Sequence, residues 1–149
     1  VIHLLYTGWP ESEGPTFPTL FCVFRSCVHR LAIEYKCSVV VHCNAGIGRS
    51  GAFACIELAY KHLISFNHHV KIGTIFLRLR EQRAMAVQTD LQYLFVHKAI
   101  VDAAIWKGLI DKSDKEEVKA FNKEYDLLMN RKREEKRAAA NKMDKKKAK

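Results

Sequence analysis

The stretch "VHCNAGIGRSG", residues 41–51, places Cys43 between an apolar run and a loop that contains two glycines. Residues 37–42, "CSVVVH", are short, β-branched and uninterrupted, which is typical of a buried strand. Residues 50–66, "SGAFACIELAYKHLISF", carry apolar side chains at helical spacing. The pattern therefore predicts a strand, a glycine loop and a helix in succession, with Cys43 where the strand ends.

This succession is typical of an anion-binding site. The first amides of a helix lack intrahelical partners, and the helix dipole adds positive charge there. Glycines allow the tight turns and the close approach that an anion needs. A thiol in such surroundings has a lowered pKa and becomes a nucleophile, so Cys43 is the candidate. Arg49 presents a planar guanidinium to two phosphate oxygens, Ser50 can donate to the thiolate when it leaves, and His42 is expected to orient the loop.

The cysteine count indicates a cellular compartment. Cys22, Cys27, Cys37 and Cys55 lie in helical or edge contexts and are interpreted as small apolar core residues. Five cysteines without a regular Cys-x-x-Cys pair or zinc spacing favour a reducing, intracellular environment. We therefore expect a cytoplasmic location, with the nucleus as an alternative through the basic tail. No apolar run reaches the length of a membrane-spanning helix.

The segments around the loop predict the fold class and the domains. Apolar positions at steps of three and four predict helices from Thr16 to about Leu31, over 70–83 and over 91–106. Helices mixed with a buried strand favour an α/β fold. The composition changes near residue 111, so the expected domains are 1–110 and 111–149. Beyond that boundary a stripe at helical spacing predicts one more helix: Val118, Phe121, Tyr125 and Leu128.

The charge of the chain is concentrated at its C-terminal end. The net charge is +9, and residues 130–149 hold ten basic and three acidic side chains. This stretch has little to bury, so we expect it to be frayed or disordered. It is interpreted as a solvated extension, with contacts to acidic partners or an anionic membrane surface as the alternative. Nucleic-acid binding is not expected, because aromatic residues do not alternate with the basic ones.

Three stretches in the same order resemble the classical protein tyrosine phosphatases. Residues 41–51 are similar to the active-site loop His-Cys-Ser-Ala-Gly-Ile-Gly-Arg-Ser/Thr-Gly and match it at all but one position. "YTGWPESEGP", residues 6–15, resembles the mobile Tyr-Thr-x-Trp-Pro-Asp loop, and "VQTDLQY", residues 87–93, resembles the glutamine loop. The resemblance extends to about residue 108 and corresponds to the C-terminal half of the catalytic domain. It implies a central mixed sheet flanked by helices, here incomplete.

The resemblance also implies a two-step phosphoryl transfer from phosphotyrosyl proteins. Cys43 would attack phosphorus, Glu11 would protonate the leaving phenol, and Gln88 with Gln92 would place the hydrolytic water. Trp9 would anchor the mobile loop near Arg49. The phosphate oxygens would be bound by Arg49 and by the loop residues Asn44, Ala45, Gly46, Ile47 and Gly48. No metal or other cofactor is required, because the arginine and the amides stabilise the charge.

Departures from the family pattern leave alternatives open. Glu11 replaces the usual aspartate, and a carboxyl misplaced by ~1 Å can cost on the order of 10²-fold in rate. Met85 stands where the family often has glycine, and its side chain either crowds the pocket mouth or the attacking water, or fills core. Asn44 replaces a serine, and we expect little effect because its backbone amide remains.

The alternative function is a weak or inactive pseudophosphatase that binds phosphotyrosine. A dual-specificity or lipid phosphatase is disfavoured by the tryptophan and glutamine stretches.

Overall fold

The computed structural model describes residues 1–66 and 70–147, with the side chains of 1–64 and 70–139. The described helices are α1 (Pro18–Glu34), α2 (Arg49–Phe66), α3 (Ile72–Gln82), α4 (Asp90–Trp106) and α5 (Lys115–Lys147). The chain divides into two compact units, Val1–Leu109 and Ile110–Lys149. The helices predicted from apolar periodicity are confirmed within one to three residues at most of their ends.

The predicted α/β fold with a central mixed sheet is wrong for this structure. The described helices account for 64% of the chain, and the described residues contain no strand. Residues 37–42 belong to no helix or strand, and Val40 is 87% exposed rather than buried. Residues 2–6 line the same groove of about 430 Å³, yet no backbone hydrogen bond between described residues joins the two segments. A strand exists only as one member of a hydrogen-bonded pair, so β-branched composition alone does not make one.

Aromatic side chains hold the first unit together. Phe21 of α1 is 1% exposed and makes edge-to-face contacts with Trp9, Phe53 and Phe95, at ring-centroid distances of 5.0, 5.9 and 5.2 Å. The partners come from the loop before α1, from α2 and from α4. Such pairs add about 0.5–1.5 kcal/mol each beyond the area that they bury. The cluster therefore packs the loop around Trp9 together with α1, α2 and α4, and α2 begins with Arg49 and Ser50 of the candidate site.

The second unit is largely one helix. The expectation of a frayed or disordered tail beyond residue 130 is wrong, because α5 continues to Lys147. Alanine, lysine, arginine and glutamate are strong helix formers, and Glu135 pairs with Arg131 and Lys132 at 3.9 and 3.3 Å. Local propensity thus maintains the helix where there is little apolar surface to bury.

In the part of the chain that the structure describes, no helix has both the length and the hydropathy to cross a membrane.

Candidate active site

The loop after residue 42 turns directly into the N-terminus of α2. Gly46 has a φ of +70°, which is the left-handed conformation that glycine adopts without strain. The helix starts at Arg49, and the Gly51 amide donates to the Ile47 carbonyl at 3.1 Å. Because the preceding amides lie before the first helical turn is complete, they are available to an anion in the loop.

The thiol of Cys43 lies among these donors. Burial raises its pKa, but the Ser50 hydroxyl and the amides of Ser50, Gly46 and Ile47 outweigh burial and lower the pKa to about 7. Ser50 Oγ is buried and has no other hydrogen-bond partner among the described residues, so its O–H can turn towards the sulfur. By contrast, burial alone raises the pKa of Cys55 in α2 to about 11. At neutral pH Cys43 is therefore substantially a thiolate, whereas Cys55 is not.

The loop of residues 8–16 packs against the cysteine loop through Trp9. The Arg49 guanidinium donates from Nη1 to the Trp9 carbonyl at 3.2 Å, across 40 positions of sequence. The Trp9 indole is 6% exposed, and its Nε1 donates to the Glu13 carbonyl at 2.6 Å. The structure thus brings together Trp9 and Arg49, the two residues that were expected to meet.

Glu11 lies on the exposed side of the same loop. Its Oε1 accepts a hydrogen bond from Asn44 Nδ2 at 3.4 Å, beside the cysteine. The next residue, Ser12, has a φ of +65°, and its carbonyl accepts from Thr89 Oγ1 at 3.0 Å. Three segments far apart in sequence therefore meet here: the loop that carries Glu11, the cysteine loop and the start of α4.

The two candidate glutamines have different surroundings. Gln92 is 1% exposed, and its Oε1 accepts from the Gln88 and Thr89 amides at 3.0 and 3.2 Å. With Thr89 it forms a capping box at the start of α4. Gln88 is exposed and lies against the cysteine loop, where a Cβ on Gly48 would come 3.3 Å from its Oε1. The side-chain oxygen of Gln92 is engaged in capping, while its Nε2 would lie 2.8 Å from a Cβ on Gly48. Both glutamines therefore lie against the cysteine loop.

His42 and Met85 also have defined places. The His42 ring is exposed and lies parallel to the His3 ring, with 6.5 Å between ring centroids. Met85 is 54% exposed with a φ of +63°, so it does not fill core. Among the described residues, no group of three or more His, Cys, Asp or Glu side chains is placed to hold a metal ion.

Sequence reasoning missed the residues that support the glutamine loop. Arg80 donates from Nε to the Ala86 carbonyl at 3.0 Å and from Nη2 to the Val87 carbonyl at 2.9 Å. Val87 has a φ of +58°, unusual for a β-branched residue, and its amide donates to Ile47 at 3.0 Å. These contacts leave no periodic signal. The Thr-x-x-Gln spacing of the capping box was the one sequence signal in this region that could have identified Thr89.

Comparison with known proteins gives consistent relatives. The sequence model of the family described as protein-tyrosine phosphatase matches residues 1–102. The chain is 41% identical over 101 residues to a "Tyrosine-protein phosphatase Lar-like" of Caenorhabditis elegans. The matched residues make up 68% of this chain and 4% of that protein. It is 33% identical over 102 residues to human "Receptor-type tyrosine-protein phosphatase C", with shares of 68% and 8%. For rat "Receptor-type tyrosine-protein phosphatase epsilon" the identity is 35% over 102 residues, with shares of 68% and 14%. The chain thus spans a small part of each relative.

The names of these relatives overturn the expected location. Two of the three are named receptor-type phosphatases, so the prediction of a cytoplasmic protein, with the nucleus as an alternative, is wrong. The prediction rested on the cysteines, and all five are indeed free thiols. Free thiols do not report whether the polypeptide that carries this segment is attached to a membrane.

Proposed function

The chain belongs to the protein-tyrosine phosphatase family, and on that premise we propose that it hydrolyses phosphotyrosine in proteins through a cysteinyl-phosphate intermediate. In this proposal residues 1–110 are the C-terminal part of a tyrosine phosphatase catalytic domain, and residues 111–149 are a charged, partly helical basic tail. The observation that carries the proposal is the position of the Cys43 thiol, which lies among donors from Ser50, Gly46 and Ile47 at the start of the helix that begins with Arg49.

In the first step the Cys43 sulfur attacks phosphorus, forming the S–P bond while the bond from phosphorus to the phenolic oxygen breaks. Glu11 transfers its proton to that oxygen, so that tyrosine leaves neutral. The amides of residues 44–48 and the Arg49 guanidinium bind the three remaining oxygens, whose charge changes little in a loose transition state. The bond to Trp9 uses one N–H of a guanidinium that has five.

In the second step water attacks phosphorus and the S–P bond breaks. Glu11, now a carboxylate, accepts the proton from water, and Ser50 donates a hydrogen bond to the departing thiolate. Gln88, lying against Gly48, orients the water. Gln92 supports this role through the hydrogen bond from the Gln88 amide to its side-chain oxygen.

The proposal is tested by phosphate release from matched phosphotyrosyl and phosphoseryl peptides in the presence of a metal chelator. Cysteine-dependent release from phosphotyrosine is expected. Cys43→Ser should abolish turnover while retaining phosphate binding, whereas Cys37→Ser, at an exposed thiol outside the loop, should keep full activity. Undiminished turnover in Cys43→Ser, or equal release from both peptides, would contradict the assignment.

A phosphotyrosine-binding module with little turnover is the second candidate. It is favoured by Glu11 in place of aspartate and by the exposed Met85 side chain at positive φ. Glu11→Asp separates the two candidates. Increased release in this variant indicates an enzyme with a suboptimal acid. Absent release before and after the change, together with retained phosphopeptide binding, indicates the binding module.

The tail carries a finer proposal about partners. Its basic side chains are proposed to contact acidic partners or an anionic membrane surface. Each lysine or arginine near such a surface contributes about 1 kcal/mol. Salt screens these attractions, so binding of the whole chain to vesicles containing phosphatidylserine should weaken as salt is raised.

A further inference from the structure

Two positions at which the chain departs from the family motif contact each other. Asn44 stands in place of serine and Glu11 in place of aspartate, and Asn44 Nδ2 donates to Glu11 Oε1 at 3.4 Å. They are 33 positions apart in sequence. We infer that Asn44 is a positioning residue for the acid, in that its side-chain amide holds the longer Glu11 carboxyl over the cysteine loop. This inference rests on the proposed function.

The backbone on both sides of Glu11 is held independently of Asn44. The Trp9 carbonyl accepts from Arg49 Nη1 at 3.2 Å, and the Ser12 carbonyl accepts from Thr89 Oγ1 at 3.0 Å. These backbone contacts do not fix the side chain of Glu11, which is exposed and has one more rotatable bond than aspartate. Each added rotamer lowers the fraction of time that the carboxyl spends at the leaving oxygen.

Asn44 can reduce that freedom because it is next to the nucleophile and carries a donor. The contact engages Oε1 of Glu11, so Oε2 is the oxygen for proton transfer. A serine hydroxyl is attached one atom closer to the backbone than the asparagine Nδ2. In the present geometry a serine at position 44 would therefore be too short to reach the Glu11 carboxyl. An aspartate at position 11 would likewise be too short to reach the Asn44 amide.

A double-mutant cycle tests the pairing with wild type, Asn44→Ser, Glu11→Asp and the double variant. kcat/KM is measured for a phosphotyrosyl peptide and for p-nitrophenyl phosphate, whose activated phenol leaves with less need of an acid. Asn44→Ser should lower kcat/KM on the peptide about fivefold, the size expected for losing one ordinary hydrogen bond. Its effect on p-nitrophenyl phosphate should be several times smaller. In the Glu11→Asp background the peptide effect should disappear.

The possible failures are distinguishable. Equal losses from Asn44→Ser in both backgrounds, or equal losses on both substrates, would overturn the pairing while leaving the proposed enzyme intact. Release that is the same in wild type and Cys43→Ser would overturn the proposed function, and with it the catalytic role of the pair. Circular dichroism of each variant verifies that the helices are retained.

Discussion

Substitution of Gly51 by alanine should uncouple the cysteine loop from the glutamine loop. Gly51 lies in the first turn of α2, and a Cβ there would come 2.5 Å from the Val87 amide nitrogen and 3.1 Å from Ala86 Cα. Ordinary contact begins at 3.4 Å, so the two segments must separate by about 0.9 Å. Both neighbours are backbone atoms, which cannot yield by rotating a side chain.

The expected magnitude follows from three opposing terms. Overpacking costs about 1–3 kcal/mol. Loss of the 3.0 Å hydrogen bond from the Val87 amide to Ile47 costs about 1 kcal/mol more. The higher helix propensity of alanine returns about 1 kcal/mol. The free energy of unfolding should therefore fall by about 1–3 kcal/mol. Gln88 follows Val87, and its displacement by about 1 Å should lower kcat on the order of 10²-fold.

Urea unfolding followed by circular dichroism measures the first quantity, and phosphate release measures the second. Gly73→Ala is the matched control, because Gly73 is exposed in α3 and an alanine Cβ there would lie 3.7 Å from Tyr93 Oη, at ordinary contact distance. That variant should be as stable as wild type or up to about 1 kcal/mol more stable. If Gly51→Ala is equally stable and active, the close approach of these two segments does not exist in solution.

Three further results are expected. Ser50→Ala should raise the pKa of Cys43 above about 7, because a donor to the thiolate is lost. The pH at which iodoacetamide alkylation is half-maximal should rise accordingly. An unchanged midpoint would show that the Ser50 hydroxyl does not donate to the thiolate. Thr89→Ala should lower the free energy of unfolding in urea by about 1 kcal/mol, because the N-cap of α4 is lost, while Thr89→Ser should retain most of the wild-type stability. Equal stability of both variants would contradict the capping role. Arg25→Met should lower the free energy of unfolding by about 2 kcal/mol in the same assay, because the buried guanidinium pairs with Glu57 at 2.8 Å. Unchanged stability would show that methionine packing replaces the ion pair.

Local patterns predicted the helices and the loop of the candidate site well. Helical periodicity located α1 to α4, since apolar residues recur every three or four positions along each of these segments. The glycines around Cys43 predicted a turn into a helix N-terminus, and Gly46 has the expected positive φ. The strand over 37–42 failed because pairing depends on a second segment, which composition cannot supply.

Roles that depend on distant contacts could not be obtained from spacing. Gln92 resembled a water-positioning residue, but its side-chain oxygen caps α4. Asn44 was expected to act through its amide alone, yet its side chain contacts Glu11. Each of these results arises from a specific three-dimensional neighbour.

By itself, then, the sequence determined where the chain is helical and which thiol stands at a helix N-terminus, because both depend on residues within a few positions of one another. Only the tertiary structure decided that the Asn44 side chain meets Glu11, that the Ser12 carbonyl meets Thr89, and that no backbone hydrogen bond between described residues joins 37–42 to 2–6. Such contacts join segments more than 30 positions apart, and they form only when the aromatic cluster around Phe21 brings loop and helices together. The physical reason is that hydrophobic packing is non-directional and acts between whatever surfaces the fold makes adjacent, so it leaves no local period in the chain.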